Sequence, residues 1–81
     1  MKRKGTIAIP KKGFEGKYTV CSYEVTCFDQ PDPSGLDGGR IDHMIITKKG
    51  EVIAEHSGGW LLEPVNREAE IAASILIYEH N

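Results

Sequence analysis

The chain has 81 residues, of which 40% are apolar and 27% are charged, and its formal net charge is −2. This length allows a single domain over residues 1–81 with a small core, and the composition excludes a chain that is disordered throughout. Two cysteines are too few for the disulfide framework of a small secreted domain, and no stretch is apolar and long enough to cross a membrane. We therefore expect a cytoplasmic protein with free thiols.

The charge is divided unevenly along the chain. Residues 1–17 hold six bases and one acid, net +5, whereas residues 18–81 hold four bases and eleven acids, net −7. A flexible basic arm over residues 1–5 could contact an acidic partner, or it could simply keep the protein in solution. The acidic remainder would repel a DNA backbone, so nucleic acid is an unfavourable partner.

The first third of the chain is rich in β-forming residues. Residues 6–9 predict a strand, and residues 14–28 form the longest β-prone stretch. Within that stretch the parity of the apolar residues changes near Cys21, which indicates a bulge or a tight turn. We favour two strands, 14–20 and 23–28, over one long strand.

A loop and a hairpin follow. Residues 29–39 contain two prolines, three glycines, three aspartates and a serine, which is the composition of a loop. Residues 40–48 and 51–56 alternate as strands, joined by a turn at Lys49-Gly50.

The C-terminal part predicts a helix over Arg67–His80, with Asn66 as its N-cap. The element order then predicts an α+β fold, a small antiparallel sheet of four to five strands packed by one C-terminal helix. The apolar residues expected in its core are Val25, Ile45, Val52, Ala72 and Leu76.

The helix carries more apolar surface than one sheet contact needs. One stripe consists of Ala69, Ala72, Ala73 and Leu76. A second consists of Ile71, Ile75 and Tyr78. Either the helix sits deep and wraps the edge of the sheet, or the second stripe is the interface of a homo-oligomer, most simply a homodimer.

The loop before the second half of the sheet holds the first candidate site. Gly38 and Gly39 could direct backbone N–H groups at an anion, and Arg40 could add a bidentate contact to phosphate or carboxylate. The alternative is ordinary turn chemistry, with Asp37 and Asp42 pairing with Arg40.

Trp60, the only tryptophan, is the second candidate. Its ring could stack on a base, anchor a protein interface, or close the core between sheet and helix.

The residue types that usually carry chemistry are scattered. Three histidines and two cysteines show no metal-ligand spacing, the aspartates of the loop lack the register of a calcium-binding loop, and no nucleophile motif is present. The sequence therefore predicts no metal, no cofactor and no enzymatic activity.

Two segments together resemble a known family. They are Phe28-Asp29-x-Pro-x-Pro-Ser-Gly-Leu-x-Gly-Gly-Arg-Ile and, after a hairpin, Gly59-Trp60-x-x-Glu63-Pro64 before a helix. This pattern is similar to that of short uncharacterised proteins carried by phages and prophages of Gram-positive bacteria, over about residues 14–80. The positions that fit it are Asp29, Pro33, Ser34, Gly38, Gly39, Arg40, Ile41, Gly59 and Trp60. Gly58 stands where a charged residue is expected.

The resemblance implies a small accessory phage protein in the bacterial cytoplasm. We expect it to inhibit a host antiviral defence system by stoichiometric capture of a defence protein. An alternative is a sponge for a phosphate-bearing nucleotide messenger, bound by Gly38, Gly39, Arg40 and Trp60. A further alternative is a purely structural or assembly role.

Overall fold

The computed structural model describes residues 1–13 and 15–81. The described elements, in chain order, are strands β1 (Lys2–Pro10) and β2 (Tyr18–Cys27), a short 3-10 turn (Leu36–Gly38), strands β3 (Ile41–Lys48), β4 (Glu51–Ser57) and β5 (Trp60–Leu62), and helix α1 (Arg67–His80). The strands form one antiparallel sheet in the order β1-β2-β3-β4-β5. The helix packs on one face, which confirms the predicted α+β class.

β2 is one continuous strand, so the prediction of two strands is wrong. The odd-numbered residues Thr19, Cys21 and Val25 are buried, whereas Tyr18 and Val20 are exposed on the opposite, open face of the sheet. The change of parity in the sequence therefore arises because apolar residues occupy both faces of one strand. The irregularity lies further along, where the register against β3 shifts between Thr26 and Cys27. The predicted strand 14–20 also begins too early, because residues 15 and 16 form a turn and β2 starts at Tyr18. Phe14 lies outside the described residues.

Residues 2–5, for which a flexible basic arm was one expectation, belong to β1 in this structure. They pair in register with residues 23–26 of β2. The Nζ atoms of Lys2 and Lys4 also lie 3.1 and 3.9 Å from Oε1 of Glu24. Ladder hydrogen bonds and this charge attraction together hold the basic segment on the sheet, where β1 forms one edge.

The opposite edge is β5, which the sequence did not predict as a strand. The tight turn between β3 and β4 matches its prediction, because Lys49 and Gly50 have φ of 52° and 78°. Two successive residues with positive φ are typical of the type I′ turn that joins twisted antiparallel strands. The sheet thus has five strands because Trp60–Leu62 form β5, and not because β2 is divided into two strands.

The core lies between the helix and one face of the sheet. Val25, Ala72 and Leu76 are buried there, as predicted. Ile45 and Val52 are not, and this part of the prediction is wrong. Met44 and Ile46 point at the helix, so Ile45 between them faces the open side, and a register shift after Ile46 pairs Val52 with Thr47 of the open face. The buried apolar residues are Ile9, Cys21, Val25, Cys27, Leu36, Ile41, Met44, Ile46, Ile53, Ala54, Ala69, Ala72, Ala73 and Leu76.

Helix α1 begins as predicted, because the Asn66 side chain accepts a hydrogen bond of 2.9 Å from the backbone N–H of Ala69. Its alanine and leucine stripe faces the sheet. Within the second stripe, Ile71 and Ile75 are half-buried against the core, while Tyr78 is 91% exposed. Most of both stripes therefore packs against the sheet. No helix in the described part of the chain combines the length and the apolar character that crossing a membrane requires.

The molecule is elongated, 39 × 20 × 19 Å, along its strands. At one end, called here the hairpin end, lie the β1–β2 and β3–β4 turns and the N-terminus of the helix, where Arg67 donates to the Pro10 carbonyl at 3.2 Å. At the other, the loop end, residues 28–40 meet the C-terminus of the helix.

Candidate functional site

The loop of residues 28–40 uses most of its donors internally. The N–H groups of Gly38 and Gly39 donate to the carbonyls of Gly35 and Leu36 at 2.9 and 3.0 Å. The Nε of Arg40 donates to the Phe28 carbonyl at 3.2 Å. The groups predicted to converge on an anion therefore hold the loop in shape, and Arg40 closes the loop onto its own beginning.

Asn81 joins this loop to the helix. Its side-chain oxygen accepts from the Ile41 N–H at 3.0 Å, and its side-chain nitrogen donates to the Leu36 carbonyl at 2.9 Å. A Cβ atom on Gly39 would overlap the Asn81 amide. Asn81 thus holds the loop against the end of the helix through two hydrogen bonds. No motif around Asn81 in the sequence predicts this role.

A second set of internal hydrogen bonds shapes the same loop. The Asp32 carboxylate accepts from both the backbone N–H and the hydroxyl of Ser34, at 2.8 and 2.6 Å. These hydrogen bonds hold the pKa of the Asp32 carboxyl below its ordinary value. Asp32 is consequently a turn-forming residue in this structure.

Trp60 lies apart from the loop. It is paired with His56, whose ring it meets edge-to-face with centroids 5.3 Å apart, and His56 is in turn paired with Met44. Arg40 is four residues before Met44 and two strands away from Trp60, a separation of about 16 Å from standard strand spacings. The structure does not bring the two predicted halves of the nucleotide site together.

Trp60 instead begins an exposed apolar edge. Trp60, Leu61 and Leu62 make up β5, and Leu61 is 66% exposed. Val65 continues the apolar surface beyond the strand. We call these four residues the β5 edge. Three consecutive apolar residues between Gly-Gly and Glu-Pro were the available signal, because successive side chains of a strand point to opposite faces and all three could not reach one core.

The cysteines are both free and buried. Burial raises the pKa of the Cys21 thiol, and the nearby charge of Lys48 partly offsets this effect. Among the described residues, no three histidine, cysteine or acidic side chains lie close enough to hold a metal ion.

Together these features define a small α+β domain with one open sheet face, a closed internal loop and an exposed apolar edge strand. The chain belongs to the family described as domain of unknown function DUF7678, whose profile matches residues 1–81. This agrees with the resemblance to uncharacterised proteins seen in the sequence. No curated protein and no solved structure gives a significant match to the chain.

Proposed function

We propose that this chain is a non-enzymatic protein that captures another protein at the β5 edge. The observation that carries the proposal is the exposure of Trp60, Leu61 and Leu62 at a strand paired on one side only. Exposed contiguous apolar residues mark interaction surfaces, and tryptophan is among the residues that most often dominate binding energy. The unpaired side of an edge strand can in addition accept an extended segment by backbone hydrogen bonding.

The chemistry around the edge favours an apolar segment flanked by basic residues. Glu55, the β4 residue paired with Leu62, already has its Oε2 3.2 Å from Nε2 of His43. The acid that faces a partner at this edge is therefore the exposed Glu63, which follows Leu62 directly. Residues 18–81 carry a net charge of −7, which would also attract a basic partner and speed encounter.

A second copy of the chain suits the edge less well. Symmetric pairing of two three-residue strands would join the copies over a strip only about 10 Å long, and so narrow a contact falls well short of the roughly 800 Å² per partner that a stable interface buries. It would also bring two acidic bodies together. A different protein can extend its contact to Val65 and beyond.

The resemblance to short phage proteins supports a partner within a host antiviral defence system of the bacterial cytoplasm, inhibited stoichiometrically. The helix face at Ile71, Ile75 and Tyr78 offers less, because only Tyr78 is fully available. The nucleotide sponge built on Gly38, Gly39 and Arg40 has less support, since the N–H groups of both glycines and the Nε of Arg40 donate within the loop.

The test is site-specific photo-crosslinking of the full chain in host cells. A photoreactive residue at Leu61 is compared with the same residue at Tyr78, which is more exposed but lies on the helix. We expect one adduct from Leu61, mapped to an extended segment with basic flanks, and none of that protein from Tyr78. A Leu61 adduct with a second copy of this chain, or no adduct at all, contradicts the proposal.

The captured protein, once purified, allows a quantitative test. Leu61→Asp should raise the Kd of the 1:1 complex by about 30-fold or more, because it places a charge in an apolar contact. This factor corresponds to the loss of about 2 kcal/mol of binding free energy that defines a hot spot. Tyr78→Asp and Arg40→Ala serve as matched controls and should leave binding unchanged. If Tyr78→Asp abolishes binding instead, the interface is the helix, and the β5 edge is wrong.

A further inference from the structure

At the hairpin end, β2 extends beyond its neighbour. β2 begins at Tyr18, whereas its pairing with β3 begins only at Ser22 and Thr47. The first residues of β2 therefore have β1 on one side and no strand on the other. The space beside them is a notch of about 280 Å³, lined by Lys11, Tyr18, Thr19, Val20, Lys48 and Lys49. We call it the lysine notch.

The hydrogen-bonding pattern shows which backbone groups face this notch. Met1 and Cys27 exchange two hydrogen bonds of 3.1 and 2.8 Å, and the Lys11 N–H donates to the Lys17 carbonyl at 3.0 Å. Because bonded pairs alternate in an antiparallel ladder, the odd-numbered residues of β2 bond to β1. The N–H groups of Tyr18 and Val20, together with the carbonyls of the same residues, consequently point the other way, into the lysine notch, where no strand pairs with them.

The side chains around the notch are cationic. Lys11 comes from the β1–β2 turn, and Lys48 and Lys49 come from the β3–β4 turn. Within the described chain, none of these three ammonium groups has a carboxylate within 4.0 Å, and no acidic residue lines the notch. The β1–β2 turn also carries Lys12, Lys17 and one acid, Glu15, and Glu51 lies beside Lys48 and Lys49. Bases still outnumber acids here, on a protein whose net charge is −2.

An aromatic ring stands at the rim. Tyr18 is 58% exposed on the open face, beside the backbone N–H groups that enter the notch. Lys48 has the parity of Met44 and Ile46 and reaches the notch from the helix side. A phosphate in the notch would therefore lie between Lys48 and the backbone donors, while a base stacks on the ring at the open side. The volume lies just below the range of roughly 300–1,000 Å³ for small-molecule sites, so the ligand would be no larger than a single nucleotide.

We propose that the lysine notch binds a mononucleotide, with its phosphate held by Lys11, Lys48, Lys49 and the N–H groups of Tyr18 and Val20, and its base stacked on the Tyr18 ring. This site is separate from the β5 edge and does not depend on the captured protein. A nucleic acid duplex is disfavoured because its further phosphates would meet the acidic remainder of the chain.

The experiment is a titration of the ¹⁵N-labelled full chain, followed by amide chemical shifts. The probes are adenosine and guanosine monophosphates, the matching nucleosides, inorganic phosphate and a DNA duplex. We expect saturable shifts of the Tyr18, Val20 and Gly50 amides with the monophosphates, and weaker binding of inorganic phosphate and of the nucleosides. Lys48→Ala combined with Lys49→Ala should weaken monophosphate binding about tenfold or more.

Two variants complete the design. Lys2→Ala combined with Lys4→Ala removes the same charge at the other end of the strands and should leave binding unchanged, while Tyr18→Ala should weaken the monophosphates but not inorganic phosphate. If the two double-lysine variants lose the same amount of monophosphate affinity, the attraction is non-specific and the site is wrong. No saturable shift with either monophosphate, equal binding of phosphate and nucleotide, or tighter binding of the duplex would each overturn it as well.

Discussion

Gly39 is required by space rather than by backbone conformation. Its φ of −98° is open to any residue, but a side chain there would overlap the amide of Asn81. Gly39→Ala should therefore lower the free energy of unfolding by about 1–3 kcal/mol, the usual range for overpacking. In the presence of Asn81→Gly, the same change should cost much less. Urea unfolding of the two single variants and the double variant measures this coupling.

Gly38 supplies the control. Its φ of 70° lies in the left-handed region, and nothing stands near the position of its missing Cβ. Gly38→Ala should cost about 1 kcal/mol through backbone strain alone, with or without Asn81. A Gly39→Ala penalty that is the same on both backgrounds would show that Asn81 is not the neighbour that excludes the methyl group.

The helix depends on a few buried side chains rather than on its whole apolar surface. Leu76 is fully buried, while Tyr78, two residues later, is almost free of contacts. Leu76→Ala should destabilise the domain by about 2–5 kcal/mol, enough to unfold much of a population of small domains. Tyr78→Ala should change the denaturation midpoint little. A Leu76→Ala variant with an unchanged melting temperature would contradict the packing of α1 described here.

Among the secondary-structure elements, the sequence predicts the boundaries that a single residue type determines locally. Asn66 marks the start of the helix, and Lys49-Gly50 marks the hairpin turn, because each residue type satisfies a specific backbone requirement. The division of β2 was wrong because Tyr18 and Val20 are apolar yet exposed, so parity alone could not identify the buried face. Burial of Ile45 was wrong for the same reason, since its buried neighbours Met44 and Ile46 are equally apolar.

The candidate sites were harder to predict because they depend on topology. The glycines and Arg40 looked like ligand donors, and only the fold reveals the carbonyls of Gly35, Leu36 and Phe28 that already accept from them. The lysine notch joins residues 11, 18–20 and 48–49. It exists because β2 is longer than its pairing with β3, a property of strand register that composition does not contain.

For the molecule as a whole, two partly exposed carboxylates should contribute to the response to acid. Hydrogen bonding to Lys2, together with the charges of Lys2, Lys4 and His43, lowers the pKa of Glu24 from 4.5, and hydrogen bonds from Ser34 lower that of Asp32 from 3.8. A depressed folded-state pKa contributes stability that is present above the unfolded value and lost as the pH falls through the folded value. Stability should thus decline as the pH falls below about 4.5.

Urea midpoints at pH 7 and pH 3 test this. Glu24→Gln combined with Asp32→Asn should reduce the difference between the two midpoints, because neither position then binds a proton in the unfolded chain. Glu70→Gln combined with Glu63→Gln, at two exposed positions, is the matched change of charge and should preserve the difference. An undiminished acid response in the double variant would assign it to other carboxyl groups.

The long edge of β1 has a consequence for behaviour at high concentration. The alternation that bonds odd-numbered residues to β2 leaves the outward positions to Lys2, Lys4, Thr6, Ala8 and Pro10. Proline offers no N–H to an added strand, and lysines on two approaching copies repel each other, so this edge resists fibril-like growth. At about 1 M salt the screening length shrinks to roughly 3 Å, and that repulsion largely disappears. The protein should therefore keep its colloidal stability in dilute buffer and lose it first in concentrated salt, through the lysine-bearing first half of this edge.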